Sequence, residues 1–565
     1  MKIETWPNPP EERLEYTQPT PNTFGSSRFL TRDEVHQLQL NEEGEDESRC
    51  PYLGTLSLKV ILDITVQGGR RTYPLVSIYA RTPIDPYKKT NNELKPSTGN
   101  IITFGTTRSG KGTGQIIPNL LSWNGSIFVL DIKGENYLRS AGYRASLSQN
   151  VFRFAPFEQE SHIWNPIKSI RVVTDWEESH WNERCQEEED TRYLANLIIV
   201  SSGSRDDQFW EAKAKSLLVG LLLHVGSAKL NENTSPETSE FKQHEVQERS
   251  MREITRLIAL NDEDFNSLLE DMSKSKRMLV RHTGHSFQGY LKGEGKLGES
   301  IKAMLTRHLD VWAYERVHRA TYKPSDCGGD LEPGTNDFDF SQMRDGNTSI
   351  YLIIPPEYLS EYRSVMRVLI GCAIRDLKNS YTQSKTVPEW SDKPPVLFLL
   401  DEFAQLAHMS PIEEGLAYLA GYNVRLWFFL QDINQLKANY PDSWESFLAN
   451  TEYKSFFGVN DINTAKLVSD MTGIKTVKNL SNTSSSVDNN LDYNLYFKSN
   501  NFSITVNHTG RALMTPDEVL HMHPDKQIVF TKSLFPLYLD LPKYHESPEM
   551  VKKSDLPPPQ KIDFI

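Results

Sequence analysis

Residues 100–123, NIITFGTTRSGKGTGQIIPNLLSW, combine an apolar strand, a glycine-rich loop and a helical segment in immediate succession. The loop follows the phosphate-binding pattern G-x-x-x-x-G-K through Gly105, Gly110 and Lys111, but Gly112 stands where that pattern has Ser or Thr. Glycines let backbone N–H groups converge on phosphate oxygens, and the lysine neutralises their charge. Because the loop lies between a strand and a helix N-terminus, we expect a nucleotide site, with an ordinary glycine turn as the alternative.

The residue after Gly112 does not replace the missing hydroxyl. One position turns a helix by about 100°, so the side chain of Thr113 would point elsewhere. We expect magnesium either on Asp401, water and phosphates or in a reshaped loop. Contact with the nucleotide is predicted for the whole loop, Gly105, Thr106, Thr107, Arg108, Ser109, Gly110, Lys111, Gly112 and Thr113.

A second apolar strand, PVLFLLDEFAQL, ends in two carboxylates, Asp401 and Glu402. In a P-loop ATPase, Asp401 would bind magnesium through water and Glu402 would orient and polarise the attacking water. The alternative is an acidic cap for the following helix. Gln431 ends the next apolar strand, VRLWFFLQD, where it would sense the γ-phosphate or make a single structural hydrogen bond.

Apolar strands alternate with helical segments, which predicts an α/β fold with a parallel sheet and helices on both faces. Helical periodicity dominates between the two groups of strands, so an all-α insertion is expected there. The predicted divisions are an irregular segment at 1–50, the first part of the nucleotide-binding domain at 51–174, the insertion at 175–321, the second part at 322–545 and a disordered tail at 546–565.

A net charge of −13 excludes a protein that is basic throughout, so DNA contact requires a local patch. Residues 272–308 carry eight Lys or Arg against two Glu, with Phe287 and Tyr290 interleaved. They predict either a nucleic-acid surface or an ordinary solvated face. The acidic run EEED, Glu187 to Asp190, is expected to be a solvated loop or a site for a basic partner. Scattered cysteines and histidines predict no metal site.

The segments GTTRSGKGTGQIIPNLLSWNGSIFVLDIKGENYLRSAGYR, FRFAPF, WNPI, DDQFW, DEFAQL, FFLQD and GRALMTPDEV occur in this order. They resemble the TraG/TraD-type coupling proteins of type IV secretion and conjugation over roughly residues 25–545. The resemblance implies a RecA-like ATPase, hexameric when active, whose all-α insertion engages substrates. By matching motifs, Lys111 would bind phosphate, Asp401 magnesium, Glu402 the attacking water and Gln431 the γ-phosphate. Arg425 is a candidate for completing a neighbour's site.

The resemblance also implies ATP and Mg²⁺ as cofactors. The implied partners are a DNA–relaxase complex or protein effectors, channel ATPases and inner-membrane subunits. Members usually begin with transmembrane helices, and the sequence has no run of about 18 apolar residues. We therefore expect either a soluble branch of the family or a shortened form of a longer protein, and the start at Met1 favours the first. The predicted location is the cytoplasm, at the cytoplasmic face of the inner membrane through a partner.

Three functions remain open from the sequence. The first is an ATP-driven coupling protein, which the Asp401–Glu402 pair favours. The second is a nucleotide-regulated docking platform with little hydrolysis, which Gly112 favours. The third is a DNA pump of the FtsK/HerA kind, against which the IPNLL and DIKGEN segments and the helical insertion argue. The sequence leaves open whether the cargo is DNA or protein.

Overall fold

The computed structural model describes residues 26–31, 52–57, 75–79, 99–200, 205–229, 243–292, 296–323, 336–383, 395–487, 499–532 and 534–559. Within these residues the chain forms one large sheet, a separate two-stranded ribbon and a series of helices. The strands are β1 Tyr52–Ser57, β2 Leu75–Tyr79, β3 Asn100–Gly105, β4 Ile127–Asp131, β5 Asn150–Phe154, β6 Thr348–Ile353, β7 Val396–Leu400, β8 Val424–Leu430, β9 Thr451–Phe457, β10 Ile474–Val487, β11 Ser499–Ala512, β12 Lys526–Thr531 and β13 Leu537–Asp540.

The large sheet has 11 strands in the order β2-β1-β13-β12-β9-β3-β8-β7-β4-β6-β5. The strands from β9 to β5 are parallel, whereas β12, β13, β1 and β2 extend the sheet in antiparallel fashion. Strands β3, β4, β6, β7 and β8 are buried throughout, which is why their sequences are continuously apolar rather than alternating. The predicted α/β class and parallel sheet are confirmed, and the antiparallel extension was not predicted.

Helices cover the sheet and fill the segment between β5 and β6. Ser250 and Asn261 cap two of them, because their side-chain oxygens accept hydrogen bonds from the backbone N–H groups of Glu253 and Asp264. The helices are α1 Ile117–Ser122, α2 Glu135–Ser146, α3 Trp181–Ile198, α4 Arg205–Ser227, α5 Met251–Ile258, α6 Asp262–Ser273, α7 Met278–Lys292, α8 Lys296–Leu309, α9 Glu315–Thr321, α10 Arg363–Gln383, α11 Ser410–Gly415, α12 Ile433–Asn439, α13 Trp444–Ala449, α14 Ile462–Thr472, α15 Pro516–Leu520 and α16 Pro548–Ser554.

The acidic run Glu187 to Asp190 lies within α3, so its prediction as a solvated loop is wrong. The side chain of Glu187 is fully buried and forms a bidentate ion pair with Arg277 at 2.9 and 3.1 Å. Asp190 is also buried and pairs with Arg171 at 2.7 Å. The basic partners of this run are therefore arginines of the same chain.

The predicted disorder of residues 546–565 is wrong for residues 546–559. Pro548–Ser554 form α16, whose N-cap Ser547 accepts a hydrogen bond from the backbone N–H of Met550. The segment that follows α16 packs closely on α2, because a Cβ at Gly142 would lie 2.2 Å from the carbonyl oxygen of Leu556. Tertiary packing thus orders a polar sequence. Residues 560–565 lie outside the described residues, as do all residues of the predicted segment 1–50 except 26–31.

The ribbon of β10 and β11 is antiparallel, with register from Ile474 opposite Ala512 to Val487 opposite Ser499. At its base, the backbone N–H of Leu513 donates to the carbonyl of Gly473. Within the described part of the chain, no helix is both long and apolar enough to cross a membrane.

Candidate functional site

Four loops meet at the carboxyl edge of the parallel strands. Strand β8 lies between β3 and β7, and β4 is the next neighbour of β7. The glycine loop follows β3, Gln431 follows β8, and the Asp401–Glu402 pair follows β7, while Asp131 ends β4. The carboxyl edge of a parallel sheet is where α/β proteins bind ligands. The sheet order therefore brings the predicted site residues, which are far apart in sequence, to one edge.

The glycine loop is held in a fixed shape by its own hydrogen bonds. The hydroxyl of Thr106 donates to the carbonyl of Gly458 at 2.7 Å, and the backbone N–H and hydroxyl of Ser109 both donate to the carbonyl of Thr106. Arg108 and Gly110 have φ values of 64° and 106°, which tightens the turn. Thr107 and Arg108 are exposed at its outer rim. These hydrogen bonds and backbone angles fix the course of the loop from Thr106 to Gly110.

Lys111 begins a π-helical turn, Lys111–Ile116, that continues into α1. Its Nζ donates to the carbonyl of Gly105 at 2.7 Å and lies 3.9 Å from Oε1 of Glu402. The backbone N–H of Ile117 reaches back five residues to the carbonyl of Gly112, which defines the wider turn. Pro118 falls in the first turn of α1, where a missing N–H is tolerated, and the chain passes from the π-helical turn to the α-helix just before it.

Three glycines, Gly110, Gly112 and Gly114, alternate with other residues after Ser109. The structure requires glycine at two of them. Gly110 has a positive φ, and a Cβ at Gly114 would lie 2.8 Å from Cγ of Leu541. At Gly112, by contrast, a Cβ would meet no atom within 4 Å. The hydroxyl of Thr113 lies 3.5 Å from the carbonyl of Gly110 and so faces back along the turn. The space beside Gly112 is open, and Thr113 does not fill it.

Glu402 is held in a strained backbone conformation at the end of β7, with φ 50°. Its backbone N–H donates to Oδ1 of Asp401 at 3.0 Å, and its Oε2 accepts a hydrogen bond from Nε2 of Gln431 at 3.1 Å. Gln431 is itself fixed, because its backbone N–H donates to Oε1 of Gln435. Lys111, Glu402 and Gln431 thus form one connected group, with Asp401 adjacent.

Burial shifts the ionisation of this group. Burial raises the pKa of Asp401 to about 6, and repulsion from Glu402 adds to the rise while Lys111 opposes it. Burial likewise raises the pKa of Asp131 to about 7, opposed by the backbone N–H of Tyr137 and reinforced by Asp401. The pKa of Lys111 is lowered by burial, and both Glu402 and Asp401 partly restore it. A cation or a hydrogen-bond donor placed here would lower the cost of the closely spaced carboxylates.

The DIKGEN segment turns from β4 into α2. The carboxylate of Asp131 accepts the backbone N–H of Tyr137 at 2.8 Å, and Gly134 takes a positive φ of 69° at the helix N-cap. Lys133 is exposed on this turn. The suggestion that Arg425 completes a neighbouring site is wrong, because its side chain is only 1% exposed inside β8 and stacks over Trp123 at 5.9 Å.

Gln115 supports the loop from below and was missed by the sequence analysis. Its side chain is fully buried, accepts a hydrogen bond from the Thr103 hydroxyl at 2.8 Å and donates to Ser455 and Gln527 at 2.9 Å each. Trp427 in turn donates to Thr103 at 2.9 Å. The signal in the sequence was a glutamine directly before the apolar pair Ile116 and Ile117, but its partners come from three separate strands.

Fewer side chains of the basic stretch 272–308 are exposed for contact with nucleic acid than its composition predicts. Phe287 is only 3% exposed and belongs to the core of the helical block, so it lies neither on a nucleic-acid surface nor on a solvated face. Tyr290 is half-buried and its hydroxyl bonds to Nζ of Lys213. Arg277 is committed to Glu187, and Lys276 pairs with Glu177. Phosphate contact through the remaining exposed cations, such as Arg281 and Arg307, stays a prediction.

The family model for conjugative DNA transfer by the type IV secretory system matches residues 66–561. A conjugal transfer protein TraG from Escherichia coli is 27% identical over 490 residues, which cover 82% of this chain and 70% of that protein. Protein VirD4 from Rhizobium radiobacter is 27% identical over 443 residues, covering 78% of this chain and 56% of that protein.

Two solved structures of the conjugative coupling protein TrwB share the fold. The unbound monoclinic form superposes with a TM-score of 0.53 at 12% identity, covering 79% of this chain and 84% of that chain. The complex of TrwB with ADP and Mg²⁺ has a TM-score of 0.52 at 12% identity, covering 78% of this chain and 85% of that chain. At this identity the likeness establishes a shared architecture.

Proposed function

Because the chain belongs to the type IV secretory system family for conjugative DNA transfer, we propose that it is a coupling ATPase. It binds ATP and uses hydrolysis to recruit and drive a DNA–relaxase complex, protein effectors or both into the secretion channel. The observation that carries this proposal is the connected group at the carboxyl edge of the sheet. There Glu402 lies 3.9 Å from Lys111 and 3.1 Å from Gln431.

The nucleotide phosphates would lie over the loop from Gly105 to Thr113. The N–H groups of the π-helical turn and the loop would donate to phosphate oxygens, and the helix N-terminus would add its positive potential. Lys111 would exchange its hydrogen bond to the Gly105 carbonyl for the β- and γ-phosphates. Because the loop keeps its shape through Thr106 and Ser109, little ordering entropy is lost on binding.

Glu402 would act as the general base. Its carboxylate would take the proton of the water that attacks the γ-phosphorus, while the bond from that phosphorus to the bridging oxygen breaks and ADP leaves. Gln431 already donates to Oε2 of Glu402, so a small rotation of its amide would let it contact the water or the γ-phosphate. The carboxylate of Glu402 lies across the site, near Lys111 of the glycine loop and Gln431 of the neighbouring strand end.

The residues of the site fit a magnesium ion. Mg²⁺ prefers carboxylate, phosphate and water oxygens, and Asp401 is a carboxylate whose pKa is raised by burial and by repulsion from Glu402, so a cation beside it would stabilise its ionised form. Asp401 would hold the ion through water, and the open space beside Gly112 leaves room for a water in place of the missing hydroxyl. When bound, the ion would neutralise charge on the β- and γ-phosphates.

The test compares steady-state ATP hydrolysis of the wild type, Glu402→Gln and Lys111→Ala, with and without DNA. Loss of the general base is expected to lower kcat by about 10²- to 10⁴-fold with nucleotide binding retained. Lys111→Ala is expected to weaken binding itself. Glu445→Gln, an exposed acid on α13, is the matched control and should keep the wild-type rate. A wild-type rate equal to that of Glu402→Gln would refute the ATPase.

The partners and the assembly belong to the same proposal. We expect a hexamer when active, because P-loop motors of this kind place each site near a neighbour, with residues 175–321 engaging substrate and membrane subunits holding the protein at the inner membrane. The helical composition of this segment, α3 to α9, supports its treatment as a separate substrate-engaging part. Affinity capture with the full chain from native cells tests the cargo: a relaxase indicates DNA transfer, and effectors indicate protein secretion.

A second candidate is a docking platform that binds nucleotide but hydrolyses little of it. The absent hydroxyl at Gly112 favours it, since that hydroxyl holds magnesium in the usual loop. Tight binding of ATP together with a rate insensitive to Glu402→Gln and to DNA would support the platform over the motor.

A further inference from the structure

The segment after β13 lies against the nucleotide loop. Leu541 follows the last strand of the large sheet, and its backbone N–H donates to the carbonyl of Asp525 at 2.8 Å. Its side chain is only 1% exposed. A Cβ at Gly114 would lie 2.8 and 2.9 Å from Cγ and Cδ1 of Leu541, and a Cβ at Gly110 would lie 3.5 Å from Cδ2. Leu541 therefore occupies the space that a side chain at Gly114 would take, and it lies at van der Waals distance from the Cβ position of Gly110.

The contact continues along the next fifteen residues. Tyr544 forms a small apolar cluster with Ile117 and Leu121 of α1, and Met550 of α16 packs against it. Beyond α16, the carbonyl oxygen of Leu556 lies against Gly142 of α2. Residues 541–557, here called the C-terminal clamp, thus touch both the turn that starts at Lys111 and the helix that follows β4.

The C-terminal clamp packs against a turn whose π-helical conformation and glycine content make it intrinsically less stable than an α-helical turn. π-Helical turns are rare and are retained mostly where surrounding contacts or function stabilise them. Lys111 is the first residue of this turn, and glycines at 112 and 114 give its backbone unusual freedom. Gln115 fixes the far end of the turn from inside the sheet. Leu541 packs against the near end of the turn, at Gly110 and Gly114.

We propose that Leu541 is a positioning residue for the nucleotide site: by packing on Gly110 and Gly114 it holds the π-helical turn so that Lys111 and the loop N–H groups face the phosphates. Without it, the turn samples other arrangements, and only a fraction of molecules presents a binding-competent loop. The observed nucleotide affinity then falls by that fraction. This inference rests on the nucleotide binding proposed above.

The test is a double-mutant cycle on nucleotide binding, measured by titration with a fluorescent ATP analogue on the full chain. Leu541→Ala removes the packing atoms, and Gly114→Ala pushes against them; each is expected to raise Kd about tenfold. In the double variant the new methyl group at 114 enters the space vacated at 541, so Kd is expected to return to within about threefold of the wild type. Leu541→Met, which keeps the volume, should bind almost normally.

A stability control separates positioning from general loss of folding. Leu537→Ala truncates a buried leucine at the start of β13, four residues before Leu541 and roughly 13 Å away. It is expected to lower the melting temperature as much as Leu541→Ala but to leave Kd unchanged. Equal Kd for the wild type and Leu541→Ala, equal Kd increases in both leucine variants, or additive losses in the double variant would overturn the inference. Absence of binding in the wild type would instead refute the proposed function, and the inference with it.

Discussion

Replacing Gln115 by Met tests whether the buried polar network beneath the loop stabilises the nucleotide site. Met has nearly the volume of Gln, so the change removes hydrogen bonds while it leaves little cavity. The wild-type amide makes three of them, with the Thr103 hydroxyl at 2.8 Å and with Ser455 and Gln527 at 2.9 Å each. All of these groups are fully buried.

The expected cost follows from the partners that remain. A buried hydrogen bond contributes a net 0.5–1.5 kcal/mol, roughly, and a partner left unsatisfied adds more. Ser455 and Gln527 still bond to each other at 2.8 Å, so their loss is partial, whereas the proton of Thr103 loses its acceptor. We therefore expect Gln115→Met to lower the free energy of unfolding by about 2–4 kcal/mol.

Urea denaturation measures the change in the free energy of global unfolding. Amide hydrogen exchange of peptides that span the π-helical turn measures the change in the free energy of local opening. The turn should exchange faster in the variant, and ATP should bind more weakly. Ser122→Ala, which removes only an intrahelical bond to the carbonyl of Pro118, is the matched control on α1 and should cost less than about 0.5 kcal/mol. A cost below about 1 kcal/mol for Gln115→Met with unchanged exchange would refute the reasoning.

Glu187→Ala leaves the mostly buried Arg277 without its bidentate partner, so it should lower the free energy of unfolding by about 3–5 kcal/mol. The control Glu189→Ala, on the exposed side of α3, should change that free energy by less than about 0.5 kcal/mol. Equal denaturation midpoints for the two variants would contradict this prediction. Burial lowers the pKa of His224 to about 4, so between about pH 6.5 and 4 only the unfolded chain takes up the proton and stability falls as the pH falls. Between pH 7 and 5 the wild type should lose about 2 kcal/mol more than His224→Asn in urea denaturation, and parallel pH profiles would exclude the effect. Gly112→Ser should fold normally, because a Cβ at this position meets no atom within 4 Å. Its hydroxyl should lower the Mg²⁺ concentration that half-saturates ATP hydrolysis. A higher half-saturating Mg²⁺ concentration would show that the open space serves another purpose.

Local patterns were informative wherever a segment's environment is uniform. Strands β3, β4, β6, β7 and β8 are buried on both faces, so a short apolar run was sufficient to predict each of them. The glycine loop is predicted from its residue spacing and from its place between a strand and a helix, and the structure places it between β3 and a helical turn. The roles assigned to its residues remain predictions until hydrolysis and binding are measured.

The failures share one cause, which is that a charged or polar residue has no fixed environment until its partners are known. The run at Glu187 is predicted to be a solvated loop or a site for a basic partner, yet Arg277, 90 positions later in the chain, compensates the burial of Glu187. Phe287 was assigned to a surface because basic residues surround it in sequence, although it faces the core of the helical block. The residues of α16 were assigned to disorder because they are polar, although α2 gives them a packing surface.

The sequence by itself determined the elements of this protein: the apolar strands, the glycine loop, the acidic strand end and the family to which they point. These follow from periodicity, backbone freedom and charge within a few residues of each position. Only the tertiary structure decided that β8 lies between β3 and β7, so that Gln431, Glu402 and Lys111 meet. It also placed Leu541 on Gly114, because strand order and side-chain packing depend on contacts between residues hundreds of positions apart.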